Sequence, residues 1–260
     1  MSATTQRLEG LTFQGIVALM FAFLLLPVVI VVLTSFTTQT FPAIPQEGFS
    51  LEWYRQLLQD EKLLGALTVS LIVATGSAIL SAIVGTIAAV GFVRSTFPYK
   101  QQISTVMLLP MIISPVITGI ALVRYFSTIQ LSSGYPALIL GHTVLSLPYV
   151  FLLVRSELLT FNEDLERASR VLGADPATTF RLVTGPIISP AILAGGFIAF
   201  VVSFGEFTAT QFLISPDTST VPVVIYTMLR TGLTPTINAL SVVLIIVMVV
   251  VALSSRRLAS

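Results

Sequence analysis

Long apolar runs joined by short polar connections set the pattern of this chain. Five segments, about 15–34, 65–93, 103–123, 137–154 and 236–254, carry no Asp, Glu, Lys or Arg. A sixth, about 187–214, is interrupted only by Glu206. Each run reaches the roughly 18–20 residues that cross about 30 Å of hydrocarbon as a helix. Barrel strands would be shorter and polar on alternate positions, so helices are the option that satisfies the backbone in lipid. The pattern predicts an all-α membrane protein with six transmembrane helices in one domain spanning residues 1–260. Pro27, Pro110, Pro115 and Pro148 fall inside or beside these runs and predict kinks or breaks, because proline removes a backbone donor.

Composition agrees with the pattern: 55% of residues are hydrophobic, 10% are charged, and the mean hydropathy is +0.96. Orientation follows from the basic residues of the connections. With the N-terminus inside, the inner segments hold Arg7, Arg94, Lys100, Arg155, Arg167, Arg170, Arg181, Arg256 and Arg257, against Arg55, Lys62, Arg124 and Arg230 outside. The excess predicts N-in and C-in. The first run exceeds a signal-peptide core and lacks a small-x-small site after it, so it reads as a retained span. With no cysteine and one histidine, His142, thiolate ligation and a multi-histidine metal site are both excluded within one chain. The net charge of +1 gives no sign of a nucleic-acid partner.

Outside, "SLEWYRQLLQDEKLL" reads as a short helix with Ser50 as its N-cap. Trp53 and Tyr54 suit the membrane–water interface, and the helix either rests on the bilayer or offers a docking surface. In the second run Ser77, Ser81, Gly85 and Ala89 recur every four residues, a small-residue stripe for close approach of another helix, in this chain or in a partner. His142 reads as hydrogen-bonded packing. Arg124 and Tyr125 read as interface anchors at the end of the third run.

The connection 156–186 is the polar exception. "DLERASRVL" places Leu165, Ala168 and Leu172 on one helical face. Gly173 ends that helix, and Asp175-Pro176 starts a second one as N-cap and first-turn proline. This second helix carries Phe180 and Val183 and is expected to stop at Gly185-Pro186. Two capped helices with an apolar face turned to water describe a rigid knob, more than a connector requires.

On these residues the stretch resembles the loop motif of ABC importer permeases, Glu-Ala-Ala, three residues, Gly, nine residues, Ile-x-Leu-Pro. Here the positions read Arg167-Ala168-Ser169, Gly173 and Val183-Thr184-Gly185-Pro186. Arg167 replaces the motif glutamate, with Glu166 just before it, and Gly185 replaces leucine. Together with "SLEWYRQLL", "LLPMIISPVITGIAL" and "SFGEFTATQFLISPDTSTVPVVIYTMLRTGLTPTINAL", the whole chain is similar to the second permeases of the spermidine/putrescine importer group. The resemblance implies a type I ABC importer permease fold with a cytoplasmic coupling-helix loop. It implies as partners a second permease in a heterodimer, two ABC ATPases that hold ATP and Mg, and an external solute-binding protein, all at a bacterial inner membrane. It implies ATPase coupling through Glu166, Arg167, Ala168, Ser169, Gly173, Ala174, Asp175, Val183 and Pro186. Substrate is expected to be a polyamine; relatives with similar permeases carry ferric iron, thiamine, phosphonates or small amino acids.

The residues add checks of their own. The two lysines, Lys62 and Lys100, do not end a G-x-x-x-x-G-K loop, so no P-loop is present and no cofactor is expected on this chain. Glu206, with Phe204 and Phe207 beside it, is the one acid within a predicted crossing. It either lines the solute pathway, offsetting cationic charge, or bonds a neighbouring helix. A stand-alone secondary transporter or channel would call for several intramembrane ionisable groups, and here only His142 could join Glu206. An intramembrane enzyme would need paired acids or a Ser/His set, whereas Asp60, Asp164, Asp175 and Asp217 all lie in connections.

Overall fold

The computed structural model describes residues 3–45, 48–131, 133–232 and 234–259, with side chains from Phe13 to Val250. Among the described residues the regular structure is entirely helical. Helix α1 (Ala3–Thr34) is followed by α2 (Glu52–Gln59), α3 (Glu61–Arg94), α4 (Lys100–Ile112), α5 (Pro115–Thr128) and α6 (Tyr135–Thr160). Then come α7 (Asp164–Val171), α8 (Pro176–Thr179), a π turn (Phe180–Thr184), α9 (Gly185–Gly205), α10 (Thr210–Leu213), α11 (Val221–Thr231) and α12 (Pro235–Ala259). Four stretches are long and apolar enough to span a bilayer: Phe13–Thr34, Glu61–Arg94, Tyr135–Thr160 and Pro176–Gly205. A bent pair, Lys100–Ile112 with Pro115–Thr128, makes a fifth if counted as one span.

The spans hold one expected break and one unexpected one. The run 103–123 is not one straight helix: it breaks beside Pro115, as its prolines predict, and α4 and α5 meet at 107°. Pro115 disfavours helical geometry in the residue before it, and Ile113 and Ser114 are accordingly extended, at ψ 140° and 133°. The run 187–214 is not one helix either: α9 ends at Gly205 and Glu206 is extended, at ψ 119°. Apolarity alone carries no information about where a helix stops, and here it continues through a turn into α10.

The chain divides into two compact units, Met1–Glu61 with Thr227–Val247, and Lys62–Tyr226 with Met248–Ser260. In the first, the Phe13–Thr34 part of α1 carries no charged residue and its Phe13, Leu19 and Phe23 are about 70% exposed, the mark of a lipid-facing helix. Trp53 Nε1 donates to the Thr37 carbonyl at 2.8 Å, and the Tyr54 hydroxyl meets Ser35 Oγ at 2.7 Å. The Ser50 hydroxyl accepts from the Glu52 N–H at 3.1 Å, one residue ahead of the cap position at Leu51.

The second unit is built on α3, α6 and α9. Val150 of α6 is fully buried between two glycines: a Cβ at Gly85 would lie 2.9 Å from Val150 Cβ, and one at Gly195 would lie 3.0 Å from Val150 Cα. Ser77, Ser81, Gly85 and Ala89 are all buried. Ser81 Oγ meets Ser146 Oγ at 2.8 Å and Ser77 Oγ donates to Ser203 Oγ at 2.8 Å, so the small-residue stripe faces helices of the same chain. Phe92, Phe151, Val154, Leu158 and Ile188 extend this core.

Candidate functional site

The 156–186 connection opens on the last turn of α6, which ends at Thr160. Asn162 Oδ1 accepts from the Asp164 N–H at 3.0 Å, turning the chain into α7. Helix α7 closes on Gly173, whose φ of +90° only glycine adopts at low cost. The Ala174 N–H returns to the Ser169 carbonyl at 3.1 Å. Asp175 then caps α8, its Oδ1 accepting from the Thr178 N–H at 2.7 Å. Hydrogen bonds from the Thr178 side chain and backbone hold the Asp175 carboxyl below the ordinary carboxylate range.

The second helix does not stop at Gly185-Pro186. Pro176 to Gly205 is helical throughout, with a π turn absorbed at Phe180–Thr184. The Gly185 N–H donates to the Phe180 carbonyl, one residue beyond the α register, and Pro186 and Pro190 follow without donors. Shifting the ladder by one residue lets the helix run on through prolines that would otherwise end it. Gly185 has a reason of its own, since a Cβ there would lie 2.8 Å from the Phe180 oxygen.

The charges of the loop divide into an inner and an outer set. Glu166 is turned inward, with its side chain 14% exposed. One of its oxygens accepts from Arg94 Nη2 at 3.0 Å and from Thr184 Oγ1 at 2.7 Å. Arg94 Nη1 also donates to Glu163 at 2.8 Å, and the guanidinium lies 5.3 Å from the centre of the Phe161 ring. Arg167 is turned outward, 65% exposed, and pairs along its own helix with Asp164 at 3.1 Å and Glu163 at 3.5 Å. Ser169 meets Thr179 at 3.1 Å. Ala168 is exposed, Ala174 and Val183 are half-buried, and Pro186 is exposed at the start of α9. Leu165 is exposed on α7, while Val171 and Leu172 at its end are each 87% exposed. A cavity of about 400 Å³ lies between the end of α3 and the loop, lined in part by Val93, Arg94, Glu166, Thr179 and Phe180.

The other candidate residues do not form one surface. Phe204 is buried and stacked on Phe200 at 5.8 Å. Glu206 lies beyond the end of α9 instead of within a helix, and its Oε1 accepts from the Ala209 N–H at 2.8 Å, capping the turn into α10. Phe207 packs on Tyr226 at 4.6 Å. Behind this turn stands His142, 1% exposed. Its Nδ1 meets Ser203 Oγ at 2.8 Å and its Nε2 meets Thr210 Oγ1 at 2.9 Å. Thr210 donates to the Glu206 carbonyl at 2.7 Å, so its one proton is committed. In that arrangement His142 Nε2 is the donor to Thr210 and Nδ1 accepts from Ser203. His142 is hydrogen-bonded packing, as expected, whereas no contact was expected of Ser203, Thr210, Arg94 or Thr184. In the sequence Arg94 was visible only as one of the inner basic residues.

Residues 81–260 match the family described as binding-protein-dependent transport system inner membrane component. The spermidine/putrescine transport system permease protein PotC of Escherichia coli strain K12 is 29% identical over 245 residues, covering 94% of this chain and 92% of that protein. The putrescine transport system permease protein PotI of the same strain is 32% identical over 237 residues, covering 88% and 84%. The fold is shared with a crystal structure of a bacterial ABC transporter involved in the import of the acidic polysaccharide alginate, with a TM-score of 0.79 at 18% identity, covering 98% of this chain and 97% of that one. This multi-pass membrane protein belongs to the binding-protein-dependent transport system inner membrane components, the permeases of ABC importers.

Proposed function

We propose that this chain forms half of the pathway of an ATP-driven importer for a polyamine, delivered by an external binding protein. It would cross a bacterial inner membrane six times with both ends inside, the bent α4–α5 pair serving as the third crossing and α12 as the sixth. A second permease would complete the pathway, and two separate ATPases would hold ATP and Mg. The 156–186 connection would face the cytoplasm and dock an ATPase through Arg167, Ala168, Ser169, Gly173 and Ala174, with Glu166, Asp175, Val183 and Pro186 shaping the fold behind them. One observation carries the coupling part of this reading: α7 buries no apolar side chain yet is tied by ion pairs to the end of α3. A helix that displays Val171 and Leu172 to water while being braced from behind is built to be covered by another protein. The polyamine part rests on the named relatives, and Glu206 would be the acid that offsets substrate charge, with Phe204 and Phe207 nearby in the chain.

The test is purification of tagged chain from its native host in gentle detergent, with mass spectrometry of what accompanies it. A P-loop ATPase and a second permease are expected, and the associated binding protein should bind putrescine or spermidine in calorimetry. A chain that emerges alone and moves solute in vesicles without ATP would defeat the importer reading and favour a secondary transporter.

A further inference from the structure

We propose that Arg94 is a positioning residue that carries displacement of the 156–186 connection into helix α3. The proposal rests on the reading of that connection as the ATPase-docking segment. Its starting point is how α7 is held. With no buried apolar side chain of its own, α7 has little apolar packing to resist a push. Its ties are polar, and they lead in two directions. Ser169 to Thr179 and Glu166 to Thr184 tie it to the start of the α8–α9 stretch. Arg94 to Glu163 and Glu166 ties it to α3.

Arg94 suits the second task. It is the last residue of α3, where a cation is favoured by the helix dipole. Its two terminal nitrogens hold one carboxylate at the N-cap of α7, Glu163, and one in its first turn, Glu166, so α7 cannot rotate about a single contact. The Phe161 ring restrains the guanidinium from another side. Both carboxylates sit on one planar fork, a geometry that lysine cannot copy. From Arg94, α3 runs unbroken to Ser77, about 25 Å along the axis at 1.5 Å per residue, where Ser77 bonds Ser203 of α9. A load on α7 thus reaches the middle of the helical core through one guanidinium. The inward turn of Glu166 also explains how the loop tolerates Arg167 at its neighbour: the acid braces the fold from within, while Arg167 lies outside.

The experiment needs no substrate. Because the chain has no cysteine, Ile87→Cys on α3 and Asp164→Cys on α7 are its only sites for a spin label. Ile87 is 67% exposed, Asp164 is exposed and outside the docking residues, and its ion pair is a surface pair of small worth. The distance is read by pulsed electron resonance in the purified complex with its ATPase, in lipid nanodiscs, nucleotide-free and trapped with ADP–vanadate. With Arg94 present, one spacing is expected in both states, the two helices moving together. With Arg94→Gln the spacing is expected to shift or broaden on trapping, and Arg94→Lys to fall between. An unchanged spacing in R94Q overturns the proposal, as does a wild-type spacing that itself shifts on trapping. Loss of the ATPase from R94K but not from wild type makes Arg94 a docking brace and also overturns it. A wild-type chain that captures no ATPase overturns instead the docking reading beneath it.

Discussion

Asp175 shows how much of a loop one carboxylate can organise. It follows Gly173, whose backbone reverses the chain at φ +90°, and its own oxygen satisfies the Thr178 N–H at the exposed start of α8. Because Thr178 holds the folded carboxyl below its ordinary range, the cap contributes fully above that ordinary range and fades as pH falls through the lowered value. Protection of the Thr178 amide from hydrogen exchange should therefore decline only at acid pH in the wild-type chain. In Asp175→Asn, a cap with no carboxylate to protonate, the decline should disappear. The capping role was legible from Asp175-Pro176 because a cap is a contact between residues three apart. The inward turn of Glu166 was not legible, since its partner Arg94 is 72 residues away.

Among the elements, contact between α3, α6 and α9 is set by glycines that differ in what surrounds them. A Cβ on Gly195 would come within 3.0 Å of the Val150 backbone, whereas one on Gly91 of α3 would meet nothing within 4 Å. Gly195→Ala is therefore expected to destabilise by about 1–3 kcal/mol, because the helix pair must part to admit it. Gly91→Ala should instead stabilise by up to about 1 kcal/mol through helix propensity. Thermal unfolding of the two variants in the same detergent tests the opposite signs. The Ser77–Ala89 stripe was readable as a close-approach surface from its four-residue spacing. Which helix it meets depends on the path of the chain through space, so the choice between a neighbour in this chain and one in a partner waited on the fold.

At the scale of the whole molecule, the proposed threading of the spans makes a prediction. If the chain runs N-in and C-in, the connection after α1 and the 156–186 loop lie on opposite sides of the membrane. Thr40→Cys, exposed on the first, should react with an impermeant maleimide in intact spheroplasts. Leu172→Cys, exposed on the second, should react only after permeabilisation. The reverse pattern would invert the topology. The chain's own lack of cysteine makes each label unambiguous.

The sequence by itself determined that this protein is helical and lives in lipid, because the transfer of an apolar stretch from water to hydrocarbon is settled by its own composition and length. It also determined the break at Gly173 and the cap at Asp175, which depend on backbone preferences of residues close together in the chain. The tertiary structure alone decided that α4 and α5 meet at 107°, and that the helix through Pro186 continues by a π turn. It placed Glu206 on a turn, closed the ring of His142 between Ser203 and Thr210, and paired Arg94 with Glu163 and Glu166. The pairings join groups far apart in the chain, and the bend and the turns take their final form from the helices that close around them. Their free energy comes from proximity in space, which no local pattern of residues records.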